Sequence, residues 1–131
     1  MAWTISALQN ELNNEAYCCY SVSRLQDSLS LKLKEHGDLL LNISMTSRQM
    51  LIETLICPVE SIHDVNKLNY YLLRFQKLLP LSSVGITIVN SREYYVAFGA
   101  LSISSPLSDV ILEIETLAEN ALELAEVITQ F

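Results

Sequence analysis

Cysteine, glycine and proline are each present only three times in this chain, and tryptophan once. An odd cysteine count without regular spacing is not a disulfide framework. Cys18 and Cys19 adjoin on a predicted strand, so their side chains point to opposite faces and are poorly placed to clamp one metal. Buried or half-buried thiols are therefore expected. So few glycines and prolines, with no low-complexity tract and no fixed-period repeat, argue against linkers, disorder and solenoids. No run approaches the ~20 apolar residues that span a bilayer, so direct membrane insertion is not expected. Before Arg24 there is neither a Lys or Arg nor a long apolar stretch, so both parts of a secretory signal are missing and a cytoplasmic location is expected.

Bases are absent from one region in particular. From Leu107 to Phe131 stand Asp109, Glu113, Glu115, Glu119, Glu123 and Glu126 with no Lys or Arg, whereas Met1 to Pro106 carries nine acids against eight bases. Six of the seven net negative charges thus lie in the last segment. Such a field repels phosphate backbones, and no basic stripe stands elsewhere, so nucleic acid is disfavoured and a basic partner favoured.

Half of the 131 residues are apolar, enough to bury one core without staples, so a single domain over 1–131 is expected. Thr4 caps a short helix with Ile5, Leu8 and Leu12 on one face, ended by Asn13 and Asn14. "AYCCYSVSRL" from 16 to 25 is strand-like, and "SLSLKLK" alternates Leu29, Leu31 and Leu33 with polar residues. "EHGD" turns the chain into a strand alternating Leu39, Leu41, Ile43 and Met45. After "TSRQ" comes "MLIETLI", stopped by Pro58. Four strands in a meander result, with register set by the period of two.

Ser61, with Asp64 three residues on, reads as a capping-box variant opening a second helix. Its stripe is Val65, Leu68, Leu72, Phe75 and Leu79, and Pro80 terminates it. Tyr70, Tyr71 and Leu73 fall off that stripe, more apolar surface than one packing face needs, which points to a homodimer interface. "VGITIV" alternates Val84, Ile86 and Ile88, "NSRE" turns, and "YYVAFGAL" returns as a β-hairpin, with Gly85 and Gly99 marking a bulge or close backbone approach. A serine cap and Pro106 at the first helical position then open a long amphipathic helix from Leu107 through Val110, Ile114, Leu117, Ala121, Leu124, Ala125 and Ile128. The expected fold class is α+β, with an antiparallel sheet of about six strands.

Chemistry-bearing patterns are sparse. Ser82 and Ser83 lack a nucleophile elbow, and neither His36 nor His63 has a spacing that marks it as a base. No phosphate loop, HExxH or paired CxxC occurs, so no catalytic residue, metal or cofactor is assigned. Tyr94 and Tyr95 face opposite sides of their strand, so one of them at most lines a pocket beneath the hairpin with Phe98. Glu115, Glu119, Glu123 and Glu126 share one helical ridge, which suits a solvated face, a docking surface for a basic segment, or a cation site with further ligands.

The order helix, strand meander, helix, hairpin, long acidic helix is similar to the type III secretion chaperone fold and to YbjN-like proteins. In "NYYLL" at 69–73, "LPLSSVGI" at 79–86, "YYVAFGALS" at 94–102 and "EIETLAEN" at 113–120, the chain resembles the YjfI-type family over its full length. That resemblance implies a bacterial origin, one intracellular domain and an association with membrane-stress proteins of the phage-shock A type; it carries over no catalytic or ligand residue. The expected function is a non-enzymatic protein-binding, chaperone-like or adaptor module. Its candidate contacts are Tyr70, Tyr71 and Arg74, with Glu115, Glu119, Glu123 and Glu126 as a charged rim. The alternative is a regulatory domain that binds a small molecule under the 84–103 hairpin.

Overall fold

The computed structural model describes residues 2–14 and 19–131. The expected strand start at 16–18 and Cys18 lie outside the described residues. Six strands, β1 Tyr20–Leu25, β2 Ser28–Leu33, β3 Leu39–Met45, β4 Gln49–Pro58, β5 Ser83–Val89 and β6 Arg92–Ser102, form one antiparallel sheet in the order β1-β2-β3-β4-β6-β5. Three helices, α1 Ile5–Leu12, α2 Val65–Phe75 and α3 Leu107–Ile128, complete the α+β fold. No helix among the described residues is long and apolar enough to cross a membrane.

Leucine alternation builds the sheet. Leu29 pairs with Ile43, Leu31 with Leu41 and Leu33 with Leu39, so every apolar residue of β2 faces an apolar residue of β3. All of these but Leu39 are buried beneath the helices. Ser28, Ser30 and Lys32 take the opposite face, as a period of two requires. β4 joins β6 over a long ladder with one irregularity between Leu55 and Cys57, which is where the bulge lies rather than at Gly85 or Gly99. α3 packs centrally over β4 and β6 through Val110, Ile114, Leu117, Ala121, Leu124 and Ile128, with Ala125 left exposed.

Local signals decided most of the boundaries. Thr4 Oγ1 accepts the Ala7 N–H at 3.1 Å and starts α1, a cap worth about 1 kcal/mol. At α2 the cap is Asp64, whose carboxylate accepts the Lys67 N–H, while Ser61 donates to the Pro58 carbonyl in a 3₁₀ turn. A carboxylate one residue before the first helical turn is the better acceptor for its free N–H groups. α2 also stops short of the expected Leu79: the chain tightens into a 3₁₀ turn at Gln76–Leu78 and then extends, because the residue before Pro80 is pushed out of the helical region. Pro106 is the residue before α3 rather than its first, with ψ 156 and no side-chain cap. The hairpin turn is the pair Asn90 and Ser91, at φ 51 and 66, the type I′ pattern that matches strand twist.

Candidate functional site

α2 has two exposed flanks. Leu68 and Leu72 are buried in the core, while Tyr70 is 66% exposed, Leu73 74% and Leu78 66%. Tyr71 stacks on Phe75, with centroids 5.5 Å apart, and also meets Phe131 at 5.3 Å. The α2 start and the segment after α3 are tied by the Asp64 N–H donating to the Phe131 carbonyl at 3.0 Å. Together these contacts form a groove of about 460 Å³ lined by Lys67, Tyr70, Tyr71, Arg74, Phe75, Leu78 and Phe131. Arg74 lies 5.6 Å from the Tyr70 ring, a cation–π distance that holds both side chains over the groove.

Tyr70, Tyr71 and Arg74 are therefore brought together as expected, but the four glutamates do not join them. None of Glu115, Glu119, Glu123 and Glu126 lines the groove. Glu115 instead accepts a hydrogen bond from the Tyr20 hydroxyl at 2.7 Å, which ties α3 to the first strand. Burial and that carboxylate push the Tyr20 hydroxyl well above its ordinary pKa. Glu119, Glu123 and Glu126 are exposed on the outer face of α3. The sequence placed these acids on one ridge correctly, yet helical phase alone does not say which neighbour the ridge faces.

Beyond its Asp64 cap, α2 and the chain that follows it carry charge of the opposite sign. From Val65 to Ser91 there are three bases, Lys67, Arg74 and Lys77, and no acid. All three are exposed and none makes an ion pair with a described residue. The count of nine acids against eight bases over Met1 to Pro106 hid this basic stretch. Phe131 is a second groove residue that no local pattern pointed to.

Beneath the hairpin, α2 and β5 enclose a smaller groove of about 270 Å³ lined by residues that include Asn69, Leu72, Leu73, Ile86 and Tyr95. Of the two adjacent tyrosines it is Tyr95 that points there, buried, its hydroxyl donating to Asn69 Oδ1 at 2.5 Å. Burial raises its pKa. Phe98 is absent from this groove, because residues three apart on a strand face opposite sides; it packs over Gly85 instead. Ser82 is buried and accepts from Asn120 Nδ2 at 2.9 Å, which also donates to the Pro80 carbonyl at 3.0 Å, so Ser82 belongs to a structural clamp.

A six-stranded antiparallel sheet carrying three helices defines an α+β protein of the YbjN fold. The crystal structure of YbjN from E. coli, described as a candidate transcription regulator, superposes with a TM-score of 0.71 at 13% identity, covering 94% of this chain and 92% of that one. The chain belongs to the DUF2170 family, described as uncharacterized protein conserved in bacteria, which it matches over residues 2–131. It is 47% identical over 131 residues to the uncharacterized protein YjfI of Escherichia coli strain K12, and equally to that of Escherichia coli O157:H7, covering 100% of this chain and 98% of each. Of the resemblances expected from the sequence, those to the YjfI-type family and to the YbjN fold are borne out.

Proposed function

We propose that this chain is a non-enzymatic protein-binding module, adaptor or chaperone-like, that holds a segment of another protein on the outer face of α2. The observation that carries this reading is the aromatic groove of about 460 Å³ flanked by cations that have no ion-pair partner among the described residues. Exposed tyrosine and arginine at one place is the composition of binding hot spots, and exposed Leu73 and Leu78 enlarge the apolar area a partner can cover. A second copy is a weaker occupant, since the Val65 to Ser91 stretch of another copy offers no acid to meet Lys67, Arg74 and Lys77. Direct contact with nucleic acid draws no support from a net charge of −7 and three bases on this surface.

The small-molecule reading ranks second. The groove under the hairpin is about 270 Å³, below the usual ~300–1,000 Å³ of such pockets, and its one hydroxyl is already bonded to Asn69. Affinity capture with wild type against Tyr70→Ala and Arg74→Glu variants tests the protein-binding reading, with a phage-shock A-type protein as one defined bait. Loss of a stoichiometric partner in both variants, with unchanged circular dichroism, is expected. A partner that binds both variants as tightly as wild type removes α2 as the site.

A further inference from the structure

The free edge of β5 lies next to this surface and has a chemistry of its own. β5 ends the sheet, and Ser83–Val89 contains no charged residue and no proline, two of the usual devices that keep an edge from pairing. Both backbone groups of Val84 point away from β6, and the Gln76 side chain meets them: Oε1 accepts from the Val84 N–H at 2.9 Å and Nε2 donates to the Val84 carbonyl. A primary amide here takes the place of a residue in a neighbouring strand. Antiparallel ladders turn alternate residues the same way, so the N–H and C=O groups of Ile86 and Ile88 also point outward. No described residue meets them. Ile86 is 45% exposed and Ile88 69%, and Ile86 lines the apolar groove between α2 and β5.

We propose that β5 accepts an extended apolar segment of a partner protein by strand addition at Ile86 and Ile88, with acidic residues at the end that reaches Gln76. This rests on the protein-binding reading and specifies the form of the bound segment. Backbone hydrogen bonds supply the pairing, and the groove lined by Leu72, Leu73 and Tyr95 takes a side chain of the added strand. Lys77 adjoins Gln76 in sequence and Arg74 is two residues before it, with no acid from Val65 to Ser91, so the flank of the segment is selected for negative charge. A second β5 edge brings no acid between Val65 and Ser91 to meet Arg74 and Lys77, so a β5 to β5 pair lacks this charge match.

The test uses the full chain, with a capped peptide of two glutamates followed by alternating valine and threonine as the probe. Amide exchange by NMR should show Ile86 and Ile88 slowed about tenfold or more at saturation. The same peptide N-methylated at alternate residues should give no protection, and a lysine version should bind at least about tenfold more weakly. In a Gln76→Ala variant the protection should extend to Val84. Unchanged exchange at Ile86 and Ile88 with millimolar peptide overturns the proposal, as does their protection in a peptide-free dimer. If a partner is captured through Tyr70 and Arg74 while the peptide leaves β5 unprotected, strand addition fails and docking on α2 stands.

Discussion

Replacing Gly99 by alanine should destabilise the fold by about 1–3 kcal/mol, the usual range for overpacking a filled interior. A Cβ at Gly99 would lie 2.5 Å from Glu113 Oε2, 3.3 Å from its Cδ and 3.3 Å from the Leu81 carbonyl. Ordinary contact begins near ~3.4 Å, so the carboxylate oxygen has to retreat by about 0.9 Å. It has little room: Glu113 is 8% exposed on the inner side of α3. Leu81 is held as well, at φ 63, between the two residues that Asn120 clamps. Glu113→Ala removes both carboxyl atoms and leaves only the Leu81 contact, so the double variant should recover about 1–2 kcal/mol of the Gly99→Ala loss. Urea denaturation of wild type, both single variants and the double variant measures this coupling. If the two effects add to within about 0.5 kcal/mol, the close approach of Glu113 is not why position 99 is glycine.

Burial also raises the Glu113 pKa above its unfolded value, and its Oε2 has no hydrogen-bond partner among the described residues. The folded state therefore holds this proton more tightly, and its contribution to stability is full below the unfolded pKa of ~4.3 and lost as pH rises through the folded value. Denaturation midpoints from pH 4 to 8 should show Glu113→Gln gaining on wild type as pH rises; parallel curves would contradict it. Asn120→Ala strands the Pro80 carbonyl and the Ser82 hydroxyl and should cost about 1–3 kcal/mol in the same urea assay. Ser91→Gly turns the hairpin pair into Asn-Gly, relieves a left-handed serine and should raise stability by about 0.5–1 kcal/mol, read as a higher thermal midpoint.

The sheet was legible because its signals are local. Leu29, Leu31 and Leu33 against Leu39, Leu41 and Ile43 specify two strands, their facing sides and their register without reference to the rest of the chain. Thr4 was readable for the same reason, and Gly99 as a place of close approach. Alternation put Val84, Ile86 and Ile88 on one face of β5 but did not say that only Val84 is buried there, because it does not show where the helical layer above that face ends, and β5 lies at the edge of the sheet. The site divided along the same line. Tyr70, Tyr71 and Arg74 share one helix and surfaced together, whereas Phe131 reaches the groove only through tertiary folding and Glu115 is drawn off to Tyr20. The run without acids from Val65 to Ser91 was open to reading, but a count over all of Met1 to Pro106, nine acids against eight bases, cancels it.

The strand order has a kinetic meaning. β1 to β4 pair with their neighbours in sequence, and β5 pairs with β6 across a two-residue turn, so both pieces can zip from short loops. Within the sheet, the joint that brings distant segments together is β4 with β6, running from the Gln49 and Ser102 pair to the Pro58 and Tyr94 pair. The chain bridging that joint contains α2. The loop-closure entropy of the sheet is thus concentrated on the segment that carries the groove, and the helix lining it is also the bridge between the two halves of the sheet.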